Sequence, residues 1–145
     1  MQQFPHQYSV SASAHTDGDV SLTAAGLDKL ESAPPAEFGG PGDKWSPESL
    51  LVAAVADCFI LSFKAIAKAS RFDWLTLECS ANGILDRVDG GMRFTGFEIQ
   101  AQLELASGNQ RDKADRLLQK AEKTCLITNS LIADSHLTVS VSARE

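Results

Sequence analysis

The sequence predicts an α+β fold in which one long central helix packs on an antiparallel sheet. Three observations lead there. Trp45 to Arg71 (WSPESLLVAAVADCFILSFKAIAKASR) reads as a single apolar helix without an internal Gly or Pro. Stretches on both sides of it alternate apolar and polar residues with the period of two of half-buried strands. A second stretch, after Ser107-Gly108-Asn109, repeats its apolar residues at helical spacing. The order is strands, helix, strands, helix, strand, which suits a sheet covered on one face, and the 145 residues are expected to form a single domain, 1–145.

Each element has its own warrant. Gln7 to Ala14 alternates Tyr8, Val10 and Ala12 against polar positions, and the turn Thr16-Asp17-Gly18-Asp19 leads into Val20 to Ala25, so a hairpin is expected. Ser32 to Trp45 (SAPPAEFGGPGDKW) is a loop, because its prolines and glycines hold neither helix nor ladder. Ser46 is a good N-cap for the long helix, Pro47 suits its first position, and Glu48 suits the positive end of its dipole. The helix would be roughly 30–36 Å long. Asp57, Lys64, Lys68 and Arg71 share one narrow stripe, so the helix should be dry on its other sides, against its own sheet or a second subunit. Phe72 to Leu85 is a half-buried strand with Cys79 on its apolar face, Asp86 to Gly91 a turn, and Phe94 to Leu105 its antiparallel partner. Ala114, Leu117, Leu118, Ala121 and Cys125 form the core stripe of the second helix. CLITNSLI continues as a short apolar turn, and His136 to Ala143 closes the chain as a strand, with His136 at an edge.

Composition excludes several functions. A net charge of −6 and no basic run argue against a nucleic-acid partner. The glycines of the loop match no phosphate-cradle motif, and Glu48 at the helix start would repel phosphate. The most apolar segment is interrupted by Asp57 and two lysines, so no membrane span is expected, and the first residues do not read as a secretory signal. The three cysteines, Cys58, Cys79 and Cys125, have no metal-site spacing, so neither metal nor cofactor is expected. Their odd number points to free thiols in a reducing compartment, the cytoplasm. Cys58 lies away from the wet stripe of its helix, where a small core residue and a reactive thiol are both consistent readings.

With Cys58 and Cys125 the chain resembles the OsmC/Ohr family of thiol-dependent peroxidases. The resemblance is carried by the loop EFGGPGDKW, by SPESLLVAAVADCF, in which Pro-Glu precedes the cysteine by about ten residues, and by TCLITNSL further on. It covers essentially the whole chain. It implies the family fold, an intertwined homodimer whose long helices pack centrally. It also implies roles: Cys58 as the peroxidatic thiolate that attacks a hydrophobic organic hydroperoxide, and Cys125 as the thiol that closes a disulfide with it. An external dithiol, dihydrolipoamide or a lipoylated protein, is the implied reductant. Glu48 matches the family carboxylate that holds a catalytic arginine. Ten helical residues put it ~15 Å from Cys58, so it must work through a bridging residue or from the other chain.

One departure is plain. No arginine precedes Arg71, and the loop position most like the arginine of the OsmC branch holds Glu37. Lys44, beside Trp45, is the candidate substitute cation, although a lysine lacks the planar fork of a guanidinium. Cys125, at a helix C-terminus, is expected to stay protonated against the negative end of the dipole. Phe38, Trp45, Phe59, Phe63 and Ile127 could line an apolar pocket or form plain core. Three readings follow: an organic hydroperoxide reductase of oxidative-stress defence, a non-catalytic redox-sensing or ligand-binding relative, and a structural protein of the same fold.

Overall fold

The computed structural model describes residues 1–145. The chain separates into two compact units, Met1–Leu50 and Leu51–Glu145.

The first unit is a small antiparallel sheet of three short strands in the order β1 (Ser11–Ser13), β2 (Val20–Thr23) and β3 (Leu30–Ser32). The expected hairpin is present, with Ala12 opposite Leu22, but β1 is shorter than its alternating pattern. The sequence reading missed β3, whose three residues are too few to display a period. The loop that follows contains one 3-10 turn, Ala36–Phe38, closed by Gly39 in the left-handed region at φ 84°. Its end returns to β3, where the Ala33 amide donates to the Trp45 carbonyl at 2.9 Å.

The long helix, α1, runs from Pro47 to Ala69. Its start is capped reciprocally. The Ser49 amide donates to Ser46 Oγ at 3.1 Å, and the Ser46 amide donates to Ser49 Oγ at 2.8 Å. This is the logic of a capping box with serine in place of the usual Glu or Gln. Its end is a Schellman turn. The Phe72 amide reaches back to the Ala67 carbonyl at 2.9 Å and the Arg71 amide to that of Lys68 at 3.2 Å, with Arg71 at φ 52°. A glycine is usual there; the chain accepts the strain of a side chain instead.

The second unit holds a sheet of β4 (Thr76–Val88), β5 (Gly91–Leu105) and β6 (Asp134–Ala143), in that order. β4 and β5 form the expected antiparallel hairpin, with a register shift at Ile84/Leu85. The ladder extends further than expected, to Val88 opposite Gly91, so that the turn is only Asp89-Gly90, both at positive φ. That suits a tight hairpin, whose twist matches the strands. β6 pairs with β5 in parallel, which corrects the expectation of a wholly antiparallel sheet. The reason is the connection: α2 (Arg111–Thr124) and the short α3 (Leu126–Asn129) carry the chain back across the sheet before β6 begins.

The core lies between one sheet face and the helices. Phe97, Ile99, Ala101, Leu103 and Leu105 of β5 are buried, as are Ala114, Leu117, Leu118 and Ala121 of α2. From α1 only Val55, Phe59, Phe63 and Ala67 are fully buried, one residue per turn. Within one chain, therefore, α1 is not dry on all its other sides, and Leu61 is 56% exposed. The helix is long and apolar enough to cross a membrane, despite Asp57 and its lysines, which corrects the expectation that no segment qualifies. Its buried stripe is nevertheless part of a folded core.

Candidate thiol site

Two predicted site residues meet in the second unit. Cys58 and Cys125 are 67 positions apart in sequence, yet the fold brings them near enough for Cys58 to raise the pKa of the Cys125 thiol. α1 delivers Cys58 because Val55 and Phe59, on either side of it, are anchored in the core. It is left half-buried at the edge of that stripe, with Ser62 Oγ one turn on at 3.9 Å from its Sγ. α2 delivers Cys125 as the last member of its core stripe, and it is only 1% exposed. All three cysteines are free thiols.

Cys125 ends α2 and is also the N-cap of α3. The dipole argument made from sequence therefore loses its force, since opposite helix ends meet at one residue. Its thiol pKa is nonetheless raised, because burial disfavours the thiolate. Hydrogen bonds from Thr128 oppose that rise, and the Cys58 thiol adds to it. Thr128 is held in place by its hydroxyl, which donates to the Cys125 carbonyl at 3.2 Å.

Cys79 is the neighbour that sequence reasoning did not find. It stands opposite Ala101 on the core face of β4. Burial pushes its thiol from 9.0 up to about 11, and the field of Cys125 contributes to the rise. Cys125 thus has two thiols near it, Cys58 and Cys79. The signal was available: the period of two put Cys79 on the face that the α2 stripe covers, and that stripe ends in Cys125.

Glu48 belongs to the first unit. There it helps to line a pocket of about 570 Å³, with Val20, Leu22, Pro34, Phe38 and Leu50 among its apolar walls. Its Oε1 is buried and has no hydrogen-bond partner. Lys44, the candidate substitute cation, is paired with Asp19 at 3.4 Å on the surface. Lys29 is likewise paired, with Glu31 at 3.1 Å. Glu37 is exposed on the 3-10 turn, and His136 is exposed on the edge strand β6. Of the five residues expected to line a pocket or form core, Phe59 and Phe63 are core, and Ile127 is half-buried against it. Phe38 lines the first-unit pocket, and Trp45 is 47% exposed.

The arrangement can support a dithiol–disulfide cycle between an accessible thiol and a buried one. Comparison with known proteins gives it a context. Residues 40–141 match the profile of the family described as OsmC-like protein. The uncharacterized protein YmaD of Bacillus subtilis (strain 168) is 25% identical over 113 residues, 76% of this chain and 75% of YmaD. An organic hydroperoxide resistance protein of Xanthomonas axonopodis pv. citri (strain 306) is 28% identical over 144 residues, 95% of this chain and 98% of that one. Among solved structures, an OsmC-like protein of Vibrio cholerae superimposes with a TM-score of 0.84 over 94% of this chain and 100% of its own, at 18% identity.

Proposed function

Given that this chain belongs to the OsmC-like protein family, we propose that it is a thiol-dependent peroxidase that reduces organic hydroperoxides in oxidative-stress defence. The observation that carries the reading is the meeting of Cys58 and Cys125, brought together by two different helices from distant parts of the chain. The name of the Xanthomonas relative, an organic hydroperoxide resistance protein, supports the substrate class.

In the first step the Cys58 thiolate attacks the terminal oxygen of the hydroperoxide. The O–O bond breaks, the alkoxide leaves and takes up a proton as alcohol, and Cys58 becomes a sulfenic acid. Cys125 Sγ then attacks Cys58 Sγ, water leaves, and a disulfide forms. An external dithiol reduces it; dihydrolipoamide or a lipoylated protein is the class proposed. A raised thiol pKa suits Cys125, which has to remain a thiol until Cys58 is oxidised. Glu48 is assigned the holding of an activating cation. The cytoplasm, where the disulfide would be reduced after each turnover, is the compartment this cycle fits.

The active form is proposed to be a homodimer. The incomplete burial of the apolar residues of α1 within one chain, with Leu61 56% exposed, supports it, since exposed apolar surface on a helix favours an interaction partner. A second reading, a ligand-binding relative with little turnover, is favoured by one observation. Glu48 Oε1 is orphaned where the resemblance implies an arginine.

The test is a single turnover. The dithiothreitol-reduced, desalted protein is mixed with cumene hydroperoxide and its free thiols are counted. Two thiols lost per chain, one peroxide consumed, and no consumption by Cys58→Ser are expected. Thiols that survive excess peroxide for hours would sink the enzyme reading in favour of the second.

A further inference from the structure

We infer that Cys79 is an exchange partner for the Cys58–Cys125 disulfide: it takes the place of Cys58 on Cys125, so that the oxidised chain comes to rest with Cys79 and Cys125 joined and Cys58 free.

The placement of Cys79 carries this. α1 and β4 lie against each other in opposite directions. At one end Gly83 faces Val52, so closely that a Cβ on the glycine would stand 2.8 Å from Val52 Cγ2. At the other end Trp74, just before β4, packs edge-on against Phe63 with ring centroids 5.5 Å apart. Cys58 lies near the middle of the helix segment between Val52 and Phe63, and Cys79 near the middle of the strand segment between Gly83 and Trp74. The two contacts therefore bring both cysteines to the same level of the packing. Cys79 also points to the same side of β4 as Gly83, and it packs against the core that Val55 and Phe59 enter from α1. Cys125 completes the group from the end of the α2 stripe, 1% exposed. The fields of the thiols agree: Cys125 raises the pKa of Cys79, and Cys58 that of Cys125.

A thiol beside a disulfide can exchange with it. Cys79 Sγ gives up its proton and attacks Cys125 Sγ. The bond from Cys125 to Cys58 breaks, and Cys58 leaves as a thiolate that takes up the proton. Two thiols are oxidised before the step and two after it, so no second oxidant is needed. The high pKa of Cys79 slows the attack without forbidding it, because its thiolate is rare but strongly nucleophilic. The chain then stores its oxidation in a pair that leaves the attacking thiol free. The inference rests on the peroxidase reading only for the origin of the first disulfide.

The test is a disulfide map over time. Reduced, desalted wild-type protein receives one equivalent of cumene hydroperoxide and is quenched in acid after seconds or after hours. It is then unfolded with N-ethylmaleimide and mapped by peptide mass spectrometry. The early map should link Cys58 to Cys125 with Cys79 alkylated. The late map should link Cys79 to Cys125 with Cys58 alkylated, the first link having fallen below half of its early level. Diamide, which joins thiols without a hydroperoxide, is run in parallel on the wild type and on Cys58→Ser. In the variant it should join Cys79 to Cys125 within the chain. If hydroperoxide spares all three thiols while diamide gives the same early and late maps, the peroxidase reading fails and the exchange stands. A Cys58–Cys125 link that persists for hours with Cys79 alkylated overturns the exchange, and needs no variant to be seen. So does a late Cys58–Cys79 link, or a Cys58→Ser chain that keeps both thiols free in diamide.

Discussion

Cys79 shows what a single position can add to a thiol site. Its side chain is half-buried on the core face of β4, and its pKa is pushed up to about 11. At neutral pH it is therefore a poor nucleophile, since the thiolate is the reactive species. Cys79→Ser should leave peroxide consumption nearly intact, and alkylation of Cys79 by iodoacetamide should accelerate with pH until about pH 11. The same shift has a consequence for stability. The folded chain holds this proton up to about pH 11, whereas the unfolded chain releases it near the ordinary 9.0. Between those values the folded state binds more protons, so stability falls as pH rises. Thermal melts at about pH 8.5 and about pH 10.5 should show a larger drop in Tm for wild type than for Cys79→Ala; equal drops would refute the shift. At this scale the sequence identified the two thiols by their resemblance to a family, but not the third thiol near Cys125. The period of two gave the face on which Cys79 lies, but which helix covers that face is a tertiary fact.

Among the elements, α1 was the most legible, because capping is local chemistry. Ser46 and Pro47 marked its start, and Ser46 caps the helix as that reading required, with Ser49 returning the bond. Its burial was less legible. A helical wheel gives the direction of each side chain but not what covers it, and only Val55, Phe59, Phe63 and Ala67 are covered within the chain. Phe59 is completely buried, so Phe59→Ala should cost about 3–5 kcal/mol, read as a lower urea midpoint. A loss below about 1 kcal/mol would show that the core has collapsed into the space or was never closely packed there. β3 and the parallel β6 were not legible for a different reason. Three residues cannot display a period, and alternation is the same whichever way a neighbouring strand runs.

For the whole molecule the decisive question is what α1 faces. Leu61 is 56% exposed on a helix whose other large residues are mostly apolar. If a second copy covers it, Leu61→Glu should halve the mass in solution, read by light scattering on a sizing column, with the far-ultraviolet spectrum unchanged. An unaltered mass, or a monomeric wild type, would rule out the proposed dimer on this face.

By itself the sequence determined the α+β class, the extent and capping of the long helix, the β4–β5 hairpin and the free-thiol character of the chain. These rest on periodicity, capping residues and composition, all properties of neighbours along the chain. Only the tertiary structure decided that Cys58 meets Cys125, that Cys79 stands beside it, and that Glu48 looks into an apolar pocket without a cation. Those are relations between residues far apart in sequence, fixed by the crossover of α2 and by which face of each element is buried.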